Sequence, residues 1–149
     1  MNSIRLLQFA KEFGDYCTRR YAPLAQAHGL SMREIHVLLF LANNPGYDTA
    51  RDIVEYRGIS KSQVSQAVDF LVEMDYLART PDREDRRLLH LSITPAGLPV
   101  ARQAQAIQEQ CTLAMLSGLT AEQQAQFLSL WDIVLSTRHH FIREADNAP

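Results

Sequence analysis

Apolar positions recur along this chain first at helical and later at strand spacing, and that order sets the expected architecture. From about Ile4 to His28, the residues Ile4, Leu7, Phe9, Phe13, Tyr16 and Cys17 fall near one helical stripe. Pro23 is expected to kink or bend that helix, and Gly29 to close it. Ser31 starts a second, very apolar helix with Glu34 as its capping-box partner, and Asn43, Asn44, Pro45 and Gly46 stop it. A short third helix runs from Thr49, boxed by Asp52, to about Arg57 and ends at Gly58. A fourth starts at Ser60, with Gln63 as capping partner, and continues to about Leu77. Thr80 to Arg87 reads as a loop. Beyond it Leu89, Leu91 and Ile93 alternate with Leu88, His90 and Ser92, which is strand spacing within a β-hairpin. Thr94 followed by Pro95 starts a helix that runs to about Leu116, and Thr120 with Gln123 starts a last one reaching about Glu144.

The expected fold is therefore mainly α with a small β-wing: a winged helix-turn-helix flanked by long helices. Residues 31–94 would form the winged unit, and residues 1–30 and 95–149 a helical dimerisation region. Leu113, Leu116, Leu119, Phe127, Leu128, Leu130, Trp131, Val134 and Leu135 give the terminal helices more apolar surface than so small a winged unit could cover. A homodimer is expected on that ground.

Composition narrows the class. With 149 residues and 46% hydrophobic content, the chain can build a real core. Its longest apolar run, Ile35 to Ala42, is far short of the roughly 20 residues that span a bilayer. The N-terminus lacks the apolar centre and cleavage site of a secretory signal, and Cys17 and Cys111 alone do not make a disulfide framework. A cytoplasmic protein with no membrane partner is expected. The net charge of −2 gives no bulk sign of nucleic-acid binding; net charge speaks to solubility and non-specific attraction, whereas a small basic site can sit on an acidic protein.

Such a site is legible in the segment from Thr49 to Leu77. A short helix, a tight turn at Arg57, Gly58 and Ile59, and a second helix make a helix-turn-helix pattern. On the second helix Val64, Ala67, Val68, Leu71 and Val72 form the buried stripe, and Lys61, Ser62, Ser65, Gln66 and Asp69 share the opposite face. Serine permits close approach to a major groove, and glutamine can pair with adenine N6 and N7. Lysine and the exposed N–H groups of a first helical turn suit phosphate. The plainer alternative, a solvated surface helix, would more often carry Glu/Lys pairs at salt-bridge spacing.

Four arginines and three acids then crowd the hairpin tip in RTPDREDRR, residues 79 to 87. Arginines on a wing can enter a narrow minor groove, and Asp85, two residues before Arg87, is placed to hold its guanidinium. The run Asp82 to Gly97 resembles the wing signature of the MarR family of transcriptional regulators: an Asp-x-Arg tip (Asp85, Arg87), a hydrophobic strand, then Ile93, Thr94 and Gly97 opening the next helix. The resemblance extends to YAPL, Tyr21 to Leu24, to the LSMREIHVLLFL helix and to the helix-turn-helix, so it covers nearly the whole chain. It implies a homodimeric DNA-binding regulator on a pseudo-palindromic duplex operator, a repressor responsive to a small-molecule effector. By that resemblance Arg87 matches the minor-groove arginine with Asp85 orienting it, and Ser62, Ser65 and Gln66 lie on the recognition helix. Lys61 and Arg86 are the candidates for backbone phosphate contacts.

Arg20, Tyr21 and His36 are candidates for lining an effector pocket. Redox sensing at Cys17 is an alternative, although peroxide-sensing relatives carry their reactive cysteine well upstream of the YxPL element, and here Cys17 is only four residues before Tyr21. Cys111 reads as packing as readily as sensing. His28, His36, His90, His139 and His140 have no tight chelating spacing, so no metal or cofactor is expected. No phosphate loop, nucleophile elbow or His-Glu metal pair supports catalysis. A winged helix that binds protein instead of DNA is the other alternative. From Arg51 to His90 the chain carries seven Lys/Arg (51, 57, 61, 79, 83, 86, 87) and eight acids (52, 55, 69, 73, 75, 82, 84, 85), an oddly unbasic balance for a DNA binder.

Overall fold

Side-chain caps fix most of the helix starts in the computed structural model, which describes residues 3–137. The first helix, α1 (Ser3–His28), runs unbroken through Pro23. The Arg19 carbonyl left without an N–H donor belongs to an exposed residue, where water can take its place. At the start of α2 (Met32–Asn43) the Ser31 side chain accepts from the Arg33 N–H, and Glu34 accepts from the Ser31 N–H at 2.6 Å, the expected box. Thr49 and Asp52 repeat it before α3 (Ala50–Arg57), where Asp52 accepts from the Thr49 N–H at 3.0 Å and from its hydroxyl at 2.6 Å. Gly58 ends that helix at φ 63°, a conformation that favours a residue without Cβ.

The cap of α4 (Lys61–Glu73) is only half the expected box. Ser60 accepts from the Gln63 N–H, but the Gln63 carboxamide oxygen takes the Ser60 hydroxyl at 3.1 Å instead of its backbone N–H. The helix also ends at Glu73, four residues before the expected Leu77. Asp75 turns left-handed at φ 58° and the Tyr76 N–H donates back to the Leu71 carbonyl at 2.8 Å, which sends Leu77 into a strand. That strand, β1 (Leu77–Pro81), pairs antiparallel with β2 (Leu89–Ile93) in the register Leu77↔Ile93, Arg79↔Leu91, Pro81↔Leu89. Thr80 therefore belongs to a strand and not to the loop, which is shorter than expected. Along β2, Leu91 is buried but Leu89 is 40% exposed, because it opens into a groove described below.

Thr94 caps the next turn as expected: its hydroxyl oxygen accepts from the Gly97 N–H at 3.0 Å and its carbonyl from the Leu98 N–H at 2.9 Å. Regular helix begins only at α5 (Leu98–Met115), three residues later than the cap-and-proline signal placed it. The same hydroxyl donates to the Asp75 carbonyl, and the Thr94 N–H donates to the Tyr76 carbonyl at 3.1 Å. Gly97 lies against this joint so closely that an added Cβ would stand 2.3 Å from the Tyr76 carbonyl oxygen.

The chain divides into two compact units between Cys111 and Thr112. In the first, Ile35 and Leu38 of α2, Ile53 of α3, Leu71 of α4, Leu77 of β1 and Val100 of α5 meet in one core. Burying one such side chain is worth roughly 1.5–3 kcal/mol. In the second, Thr120 and Gln123 form a complete box at the start of α6 (Ala121–Ser136). Phe127 and Trp131 stack on that helix with centroids 6.2 Å apart, and Leu130 and Ile133 are each 57% exposed. The expected continuation to Glu144, with His139 and His140, lies outside the described residues. Among those residues no helix is long and apolar enough to cross a membrane.

A candidate nucleic-acid interface

The expected two faces of α4 are both present. Val64, Ala67, Val68 and Leu71 are buried, Val72 is half-buried, and Lys61, Ser62, Ser65, Gln66 and Asp69 are exposed. No acid occupies its first turn, so the positive end of the helix dipole faces outward beside Lys61 and Ser62. An Arg33 guanidinium nitrogen stands 3.5 Å from the Gln66 carboxamide oxygen, at the far edge of hydrogen bonding, so it restrains that side chain only weakly. Asp69, the acidic end of the face, is paired with Arg79 of β1. Helical periodicity gives Arg79 no role; the pairing joins α4 to a strand ten residues away, which such a pattern does not reveal.

Between α3, α4 and the wing lies a groove of ≈ 480 Å³. Ala50, Val54, Val68 and Leu89 supply its apolar lining, and Arg51, Lys61 and Arg79 place three cations around it beside Ser65 and Asp69. A concave surface with cations about an apolar floor can receive an anionic backbone while the adjacent α4 face meets a groove.

The wing tip is built by its acids. Asp82 accepts from the backbone N–H groups of Glu84 at 2.8 Å and Asp85 at 2.9 Å, and its own N–H donates to the Leu88 carbonyl at 2.9 Å. Asp85 accepts from the Arg87 N–H at 2.9 Å. The contact between Asp85 and Arg87 thus runs to the backbone, a different route from the guanidinium hold expected from the sequence. Arg83, Arg86 and Arg87 are all exposed.

His90 clamps this tip to the rest of the winged unit. Its Nδ1 is 2.7 Å from Asp48 and its Nε2 is 3.0 Å from Asp82, while the Leu91 N–H donates to the Asp48 carbonyl at 2.7 Å. Both ring nitrogens can donate at once only when the imidazole is protonated. Asp48 and then Asp82 accordingly raise the His90 pKa above its ordinary 6.5. The Asp85 N–H, then His90 and the Glu84 N–H, hold Asp82 down to about 2. By linkage, the His90 contribution is complete below pH 6.5 and is lost as pH rises through its folded value. The Asp82 contribution is complete above 3.8 and is lost as pH falls through about 2. The clamp is expected to be whole between those limits. An NMR titration should place the His90 midpoint above 6.5, and Asp82→Asn should lower it; a wild-type midpoint at or below 6.5 would contradict the clamp. The signal in the sequence is a lone histidine at a polar position of an alternating strand, with both partners distant along the chain.

Of the effector-pocket candidates, Tyr21 is buried, His36 half-buried and Arg20 exposed. Burial pushes the Tyr21 hydroxyl up to about 12, with the Cys111 and Cys17 thiols adding to the effect. Burial, with Arg57 second, lowers the His36 pKa. Tyr21 and His36 thus share Arg57 as an electrostatic neighbour, whereas Arg20 donates to the Gln110 carboxamide of α5.

The sequence pattern described as MarR family matches residues 28–88. The HTH-type transcriptional regulator YwhA of Bacillus subtilis (strain 168) is 27% identical over 85 residues, and the match spans 57% of this chain and 61% of that protein. A MarR transcriptional regulator from Methanosarcina mazei Go1 superposes with a TM-score of 0.75 at 17% identity, covering 91% of this chain and 97% of that one. Bordetella bronchiseptica BpsR, whose DNA binding is regulated by 6-hydroxynicotinic acid, superposes at 0.65 with 19% identity over 87% of this chain and 98% of its own.

Proposed function

We propose that this chain is a transcriptional regulator of the MarR kind that binds duplex DNA directly, as a homodimeric repressor on a pseudo-palindromic operator, a reading supported by the MarR-family match over residues 28–88 and the likeness to YwhA. The observation that carries this reading is the pairing of a short-chained polar face on α4 with a wing whose arginines are exposed while its acids hold the turn. Ser62, Ser65 and Gln66 would read base edges, Lys61 and Arg86 would hold phosphates, and Arg87 would enter the minor groove with Asp85 fixing its backbone. Residues 31–94 would serve DNA, and residues 1–30 and 95–149 would pair two copies. The exposure of Ile4, Leu7, Leu130 and Trp131 supports that pairing. The two-fold dimer would set half-sites about one helical turn apart. Release by a small molecule near Tyr21 and His36 is supported by the likeness to BpsR. A cytoplasmic location would follow from work on the chromosome.

The test begins by recovering genomic fragments with the purified protein and measuring their affinity against salt. Affinity should fall steeply from low to moderate salt through counterion release. Arg87→Ala should lose about 1–3 kcal/mol of operator binding at matched salt. Unchanged affinity would remove the wing from the interface, and salt-independent capture of a protein with no DNA fragment would favour a protein-binding winged helix.

A further inference from the structure

Asp48, between α2 and α3, and Asp82, at the wing tip, meet the two nitrogens of the His90 ring, at 2.7 Å from Nδ1 and 3.0 Å from Nε2. A carboxylate only accepts, so both bonds form together only on an imidazolium. The neutral ring keeps one N–H and turns a lone pair toward the other carboxylate, so one tie is exchanged for repulsion. Either loss matters to the wing. Asp82 folds the tip by accepting from the Glu84 and Asp85 N–H groups, and Asp85 accepts from the Arg87 N–H. Asp48 fastens β2 from the other side, since its carbonyl accepts from the Leu91 N–H at 2.7 Å and its neighbour Thr49 bridges to His90. His90 thus joins the tip to the start of the helix-turn-helix.

The other charged groups on the elements packed against β2 lie outside this pair of contacts. On β1 the residue opposite His90 is the uncharged Thr80, and Arg79 pairs with Asp69. On α3, Asp52 is bonded to Thr49, Arg51 lines the groove with Leu89, and Glu55 and Arg57 are exposed. On α2, Glu34 accepts from the Ser31 N–H, Arg33 stands 3.5 Å from Gln66, and His36 has Arg57 as its charged neighbour. Arg83 and Glu84 border the same open hollow as His90, where the ring can exchange its proton with water.

We propose that His90 is a positioning residue of the wing, a latch that holds the tip for DNA while protonated and frees it on deprotonation, so that affinity for duplex falls as pH rises. The inference rests on the DNA-binding reading above. Release sends one proton from the ring to solvent and leaves two carboxylates uncompensated at the wing, which adds repulsion of phosphate to the loss of order. Asp48 and then Asp82 raise the His90 pKa, so the latch is whole below 6.5 and opens as pH climbs through the higher folded value.

Affinity of the full chain for a recovered duplex fragment is measured by fluorescence anisotropy at fixed salt from about pH 6 to about pH 9. The parent chain should lose about tenfold across that range, the scale of one charge-assisted hydrogen bond. His90→Gln can donate at one end only and should bind throughout as weakly as the parent does at the alkaline end. Asp48→Asn removes one charge without touching the tip and should move the fall to lower pH. A parent chain indifferent to pH, or a His90→Gln variant that falls in parallel with it, would overturn the proposal. In the free chain, hydrogen-exchange protection of the Asp85 and Leu91 amides, corrected for base catalysis, should fall over the same range and stay low in His90→Gln. Constant protection overturns the latch whether or not DNA binds. If protection falls as expected but no fragment binds at any pH, the DNA reading alone is lost.

Discussion

Gly97→Ala is expected to destabilise the chain by about 3 kcal/mol, at the upper end of overpacking in a filled interior. The new Cβ would meet the Tyr76 carbonyl oxygen at 2.3 Å and the Tyr76 Cα at 2.9 Å. Backbone cannot swing aside as a flexible side chain can. Tyr76 is also tied in place, since its carbonyl accepts from the Thr94 N–H and its own N–H donates to Leu71. Relief would have to come from moving the end of α4 away from the start of α5, breaking the Thr94 bonds on the way. Urea unfolding should show a lower midpoint with an unchanged slope. A loss below about 1 kcal/mol, the lower end of overpacking, would mean that the joint yields more easily than its hydrogen bonds imply.

The second large effect is expected at Leu71, which is fully buried on the inner side of α4. Leu71→Ala should cost about 2–5 kcal/mol, transfer free energy plus the cavity left behind. That is a large part of the roughly 5–15 kcal/mol that holds a domain folded. The informative comparison is Gln66→Ala on the outer side of the same helix. It should change stability by no more than about 0.5 kcal/mol while weakening operator binding. If both variants lose stability alike, the division of α4 into a packing face and a reading face is wrong.

The chain states its helix starts openly because a cap is a local device. Ser31 with Glu34, Thr49 with Asp52 and Thr120 with Gln123 each complete their bonds within four residues. The end of α4 is harder to read. Residues 74–77 continue an apolar pattern, and only the left-handed turn at Asp75 shows that Leu77 has left the helix. The same limit applies at the site. Periodicity places Ser62, Ser65 and Gln66, but the Arg79–Asp69 pair and the Asp48–His90–Asp82 clamp join residues far apart in sequence. Asp85 is recognisable as a partner of Arg87 from their spacing, although the contact runs through the backbone N–H.

If the chain binds DNA as proposed, the acids of the winged unit have a consequence for how it finds its site. Asp52, Asp69, Asp82 and Asp85 are committed to capping a helix, pairing with Arg79, folding the wing tip and fixing the Arg87 backbone. A regulator searches among a vast excess of chromosomal sequence, and what decides its occupancy is the ratio of operator affinity to indiscriminate affinity. Indiscriminate affinity comes almost wholly from phosphate attraction. A chain of net charge −2 gives little of it away. On the proposed reading, acids used as internal fasteners would let a few outward arginines act at close range while the molecule as a whole stays indifferent to bulk DNA.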